Sequence, residues 1–176
     1  MTLQQYQSTS NTQQKQQIAH TIIKELSIHS ACEEEIFYPA LKKSVANGEE
    51  LYNRSLKEHQ ELKETLFKLD NMSLADDQSL FHSTLQEAIK ETLEHVQEEE
   101  TEILPLFQSA VTPTYLNQLG EQFLSTKNSV PTRPHPAAPA SYPLNVPVNH
   151  MTAPIDKIRD AAREALDSQT IEETRR

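Results

Sequence analysis

Apolar residues recur in steps of three and four along most of the first 110 positions, which is the period of a helix with one buried face. The first such stripe runs Ile18, Ile22, Leu26, His29, Glu33, Ile36, Ala40. It predicts a helix from about Asn11 to the Asn47-Gly48 stop, loosened at Pro39, whose ring clashes with the carbonyl four residues back. A second stripe, Tyr52, Ser55, His59, Leu62, Leu66, Leu69, predicts a helix over 49–69. A polar connector follows to Gln78, with a helix cap expected at Asp76 or Asp77. The third helix should then run to about Ala110, kinked at Pro105. One of its faces carries Phe81, Leu85, Ile89, Leu93 and Val96, and the next Ala88, Thr92, His95, Glu99, Ile103 and Leu106. A shorter amphipathic helix over 113–127 presents Tyr115, Leu116, Leu119 and Phe123. Residues 1–10 are polar and are expected to fray.

Only Gly48 and Gly120 interrupt the 176 residues, and no β-branched run suggests a strand, so the fold class is all-α. The pattern changes after residue 127. Seven prolines lie between Pro131 and Pro154, with no Gly, Asp, Glu or Lys among them. Such a stretch reads as an extended strap without a core of its own. Pro154 suits the first turn of a last helix carrying Ile155, Ile158, Ala162 and Leu166, with a loose end after Ser168. The division is therefore a helical bundle over 1–127, a proline-rich linker over 128–153 and a terminal helix over 154–176.

The net charge of -10 argues against a nucleic-acid partner, which needs a basic face, and suits a protein that collects cations. One cysteine, Cys32, excludes an internal disulfide and points to a reducing compartment, the cytoplasm. No apolar run suggests a membrane span or a signal peptide.

Three histidines stand inside apolar stripes. His29 and Glu33, four apart, share a helix face, as do His95 and Glu99. Both pairs belong to one repeated pattern: His, three residues, Glu-Glu, four residues, Pro. A lone pair of this kind on a charged helix face means little. Here the pairs interrupt apolar faces, and an ionised carboxylate buried without a partner is costly. Doubled, with His59 in the third stripe, they form a donor set for a transition metal between helices. Glu34, Glu35, Glu98 and Glu100 fall off that face and read as solvated. His20, His82, His135 and His150 have no comparable neighbours. Tyr38 reads as packing, and Cys32 as a half-buried small residue.

These segments, Glu25 to His29, Glu33 to Leu41, Glu58-His59, and His95 through Glu99 to Pro105, resemble the haemerythrin-like, cation-binding HHE domain. The tail around Arg133-Pro134-His135-Pro136 and Asp156 to Asp160 is similar to the tails of bacterial members. The resemblance implies an up-and-down four-helix bundle with two non-haem irons in its core. Ligand roles fall on His29, His59 and His95, and bridging or ligand roles on Glu33 and Glu99. It also implies a small diatomic partner such as O2. Family members open with a helix that adds a histidine before the first motif, and here that helix is almost absent. Thr2 to Tyr6 looks like its tail, by analogy with Thr65 to Leu69 behind His59. The expectation is an N-terminally truncated bundle with an apolar groove, to be closed by the proline-rich tail, the last helix or a second copy of the chain.

Three functions follow. The first is a binding protein whose iron centre takes O2 or another small molecule for carriage, storage or sensing. The second is a di-iron redox enzyme acting on nitric oxide, peroxide or iron, ranked lower because no further acid, base or substrate pocket is visible in the chain. The third is a metal-poor interaction module using the groove.

Overall fold

The computed structural model describes the backbone of residues 3–174 and the side chains of residues 4–164. Among them there is no strand, and the architecture is the expected all-α bundle. A short helix α1 (Leu3–Ser8) leads into α2 (Thr12–Cys32), α3 (Tyr38–Ser44), α4 (Gly48–Asp70), α5 (Gln78–Glu98), α6 (Leu104–Ala110), α7 (Pro113–Thr126) and α8 (Asn145–Thr174). Two single π-helical turns, Glu33–Phe37 and Glu99–Ile103, join α2 to α3 and α5 to α6. Asp77, one of the two expected caps, accepts from the Leu80 N–H, and α2, which starts near the expected Asn11, is capped by that residue, whose side chain accepts from the Gln14 N–H.

The three long rods α2–α3, α4 and α5–α6 run up and down, and two apolar clusters hold their ends. At one end Ile18, Ala19 and Ile23 meet Leu62, Leu66 and Leu69 of α4 and Phe81, Leu85 and Ala88 of α5. At the other, Tyr38 and Leu41 meet Leu51, Tyr52, Ile103 and Phe107. The polar residues of the three stripes occupy the band between these clusters. Gly48 makes the tight α3–α4 corner possible. A Cβ there would meet the backbone, with the Lys42 Cα at 2.9 Å.

Both π turns precede a proline, Pro39 or Pro105, which cannot supply the next helical N–H and would crowd the carbonyl four residues back. The wider turn relieves this. The Tyr38 N–H bonds to the Glu33 carbonyl, five residues back, and the Leu104 N–H to that of Glu99. The inserted residue shifts the buried stripe by one position. Phe107 is therefore buried where Leu106 was expected, and Tyr38 and Leu41 are fully buried while Ile36 is only partly so.

Other expectations are corrected. Residues 3–8 form a helix instead of fraying, because Tyr6 is buried and bonds the His82 Nδ1 through its hydroxyl at 2.5 Å; Thr2 lies outside the described residues. Leu93 points away from the neighbouring helices and is exposed. The last helix begins at Asn145, not Pro154, which sits inside it and forgoes one helical hydrogen bond. Tertiary contact overrides that cost: Asn145, Asn149, Ala153 and Asp156 are all buried. The helix continues to Thr174 where a loose end was expected, although the side chain of Leu166 lies outside the described residues.

The strap is held by charge. Arg133 reaches Asp70 at 2.7 Å and Asp160 at 3.2 Å, and Arg163 reaches Asp70 at 2.9 Å. His135 is not partnerless but bonds Asp156 at 2.8 Å. Helix α8 packs against α2 and the first π turn, and Gln60 of α4 donates to the Pro136 carbonyl of the strap at 3.1 Å.

Candidate metal centre

Helical spacing places His29 beside Glu33, with Nε2 2.9 Å from Oε1, and His95 beside Glu99, with Nε2 3.4 Å from Oε1. Rod packing then brings His59 of α4 between them. Its Nε2 lies 3.5 Å from Glu33 Oε2 and 3.1 Å from His95 Nε2. The five residues singled out in the sequence thus gather into two overlapping groups, Glu33–His59–His95 and His29–Glu33–Glu99. Within each, the possible ligand atoms lie within 4.8 Å of one another. Glu33 belongs to both. Glu33, His59, His95 and Glu99 are buried, while the His29 side chain stays 45% exposed.

Three further residues complete the site. Glu34, expected on the solvated surface, is 2% exposed. Its carboxylate accepts from His59 Nδ1 at 3.0 Å and from Lys63 at 2.7 Å. On the other rods, Glu58 accepts from His95 Nδ1 at 2.7 Å. Each core imidazole therefore commits Nδ1–H to a carboxylate and turns the Nε2 lone pair inward, the arrangement that orients a metal-ligating histidine. The third residue is Tyr38, read as packing. Its hydroxyl sits 2.9 Å from His59 Nε2 and 3.1 Å from His95 Nε2, and donates to Glu99 Oε1 at 3.1 Å. The π turn aims it there: with Glu33 and Tyr38 joined by a five-residue hydrogen bond, both lie on one face. Glu58 and Glu34 left no signal of pairing in the chain, since each partner histidine belongs to another helix. A proline five residues after Glu-Glu was the available signal for the π turn, and so for Tyr38.

A count of protons tests whether these residues fit a cation. Two imidazole lone pairs face each other at 3.1 Å, Glu99 adds acceptors, and Glu33 Oε2 is buried with no hydrogen-bond partner. Against them stands one phenolic proton. Without metal a second proton fills the gap. Burial pulls the His95 pKa down, but the bonds to Glu99 and Glu58 outweigh it and raise the pKa to about 9. His29 is also raised, by its bond to Glu33. Burial pushes the Glu99 pKa up, yet His95 outweighs this and holds it low. Surplus lone pairs in a dry, anionic band are what a transition metal satisfies. The donor set of imidazole and carboxylate fits one.

Over the second group opens a cleft of about 430 Å3. His29, Glu33 and Glu99 form its floor; Phe37, Val96, Leu104, Phe107, Leu116 and Leu119 are among its walls. Helix α7 forms one side, with Phe123 edge-on to the His29 ring, centroids 5.9 Å apart. No described helix is long and apolar enough to cross a membrane.

Residues 2–107 match the Hemerythrin HHE cation binding domain family. The chain is also 34% identical over 137 residues to an uncharacterized hemerythrin-like protein of Schizosaccharomyces pombe; the alignment covers 77% of this chain and 66% of that relative. No solved structure matches the chain.

Proposed function

Because the chain belongs to the hemerythrin HHE cation-binding domain family, we propose that it holds a dinuclear non-haem iron centre in the bundle core and takes O2 or a similar small molecule there, as a carrier, store or sensor. The observation that supports this most directly is the sharing of Glu33 between two donor groups, one buried and one facing the cleft. His59, His95 and Glu33 would serve the buried position; His29, Glu99 and the same Glu33 would serve the open one. When bound, the irons supply the redox chemistry and the affinity for the small molecule. The chain supplies the rest. Glu34 and Glu58 keep the two core imidazoles in one tautomer and orientation. The apolar walls lower the number of competing waters above His29 and Glu99.

Purified, iron-loaded protein is expected to carry about two irons per chain and to show an absorption band on exposure to O2 or azide. His29→Ala and Glu99→Ala should abolish that band. Spectra unchanged in both variants would end the reading, and metal analysis finding nothing bound to an intact fold would favour an interaction module instead.

One observation favours a second reading, a redox enzyme acting on nitric oxide or peroxide. The cleft is open above His29, Glu33 and Glu99, so a small substrate and its products could exchange there. Turnover of either substrate by the loaded protein, against stoichiometric binding without turnover, separates the two.

A further inference from the structure

We propose that Tyr38 is itself a ligand of this centre, through its phenolate oxygen; the inference rests on the metal reading above. Tyr38 Oη, His59 Nε2 and His95 Nε2 form a nearly equilateral triangle, with sides of 2.9, 3.1 and 3.1 Å. Glu99 Oε1 lies 3.1 Å from the same oxygen. Donors bonded to one first-row ion at about 2.1 Å and at right angles stand about 3 Å apart. The tyrosine oxygen thus keeps the same spacing from the two imidazoles as they keep from each other. It stands among the donors as one of them.

A phenol has one proton, and with both imidazoles holding theirs on Nδ1 three acceptor atoms converge on this oxygen. The metal-free site meets that demand by protonating His95; a bound cation would meet it by coordination. A residue present only to fill space would need no oxygen at all in this fully buried position. The side chain is also rigidly placed. Tyr38 is 0% exposed, it packs among Leu41, Leu51, Ile103 and Phe107, and Phe37 leans on its ring at 5.6 Å. The π turn before Pro39 puts it one full wide turn below Glu33. On coordination the oxygen–metal bond forms, the O–H bond breaks and the proton leaves to solvent through the cleft beside Glu99. Nothing is oxidised or reduced in that step.

The test uses the full chain loaded with iron and oxidised to the ferric state. The wild type is expected to show a broad visible band of phenolate-to-iron charge transfer, with phenolate ring vibrations enhanced in resonance Raman. Tyr38→Phe should lose band and vibrations while retaining bound iron, and Tyr52→Phe, altered in the neighbouring apolar cluster, should keep them. Iron bound without the band in the wild type, or a band that survives in Tyr38→Phe, would overturn the assignment and leave the metal reading standing. Failure of the wild type to bind iron would overturn both. Should Tyr38→Phe not fold, the wild type alone still decides. Zinc added to metal-free protein at neutral pH should produce the ultraviolet difference spectrum of a tyrosinate, and its absence with zinc bound would refute the ligand role.

Discussion

Glu34 offers the sharpest test of how the site is held. Its two oxygens are shared between His59 Nδ1 at 3.0 Å and Lys63 Nζ at 2.7 Å, in a carboxylate only 2% exposed. In Glu34→Ala the His59 ring keeps its buried N–H but loses its acceptor, which costs about 1–3 kcal/mol for an unsatisfied donor. The ring can lower that cost only by turning, and turning takes Nε2 away from Glu33 and His95. Loss of such an orienting carboxylate lowers metal affinity about 10- to 100-fold, or about 1.4–2.7 kcal/mol. Lys63 complicates the reading, because its ammonium is left without an acceptor at 14% exposure. The double variant Glu34→Ala/Lys63→Met removes that charge while leaving His59 unsupported. It should regain stability and not affinity. The assay is competition for zinc or ferrous iron against a chromophoric chelator, with circular dichroism to confirm folding. Glu102→Ala, which cuts an exposed pair with Arg54, is the control and should bind as the wild type does. A folded double variant with wild-type affinity would refute the orienting role.

Three other predictions concern the frame. Phe107→Ala empties the cluster beyond the second π turn, where the ring is 1% exposed, and should cost about 3–5 kcal/mol by denaturant titration; a loss below 1 kcal/mol would mean that Leu106 faces the core after all. Gly48→Ala forces a methyl against the Leu41 and Lys42 backbone and should destabilise by about 1–3 kcal/mol, whereas Gly120→Ala, with open space around it, should be neutral or slightly stabilising. Burial, aided by Arg163, lowers the His20 pKa from 6.5 to about 4. Because the folded value is the depressed one for a cation-forming group, the unfolded chain binds the proton first as pH falls. Stability is therefore lost from pH 6.5 down to about 4, by roughly 1–3 kcal/mol after allowance for partial solvent screening. Measured as the difference from His20→Gln across that window, a pH-independent gap would contradict this.

Much of the bundle could be read from the chain, because helix periodicity is local. Ile18, Leu62 and Phe81 announce their buried faces through neighbours three and four positions away, and His29–Glu33 and His95–Glu99 meet through the same geometry. His59 could be placed in a stripe but not against its partners until the rods were docked. What the apolar stripes left undecided depends on two things that periodicity cannot carry. The π turns insert a residue before each proline, which moved burial from Leu106 to Phe107 and aimed Tyr38 at the donors. The relative axial position of neighbouring helices set Glu34 against His59 and Glu58 against His95, and contact with the bundle drew the last helix back to Asn145 in spite of Pro154. The chain by itself determined which residues share a face, since that follows from one helix's pitch; which faces meet, and at what height, is settled only when side chains on different rods compete for the same buried space.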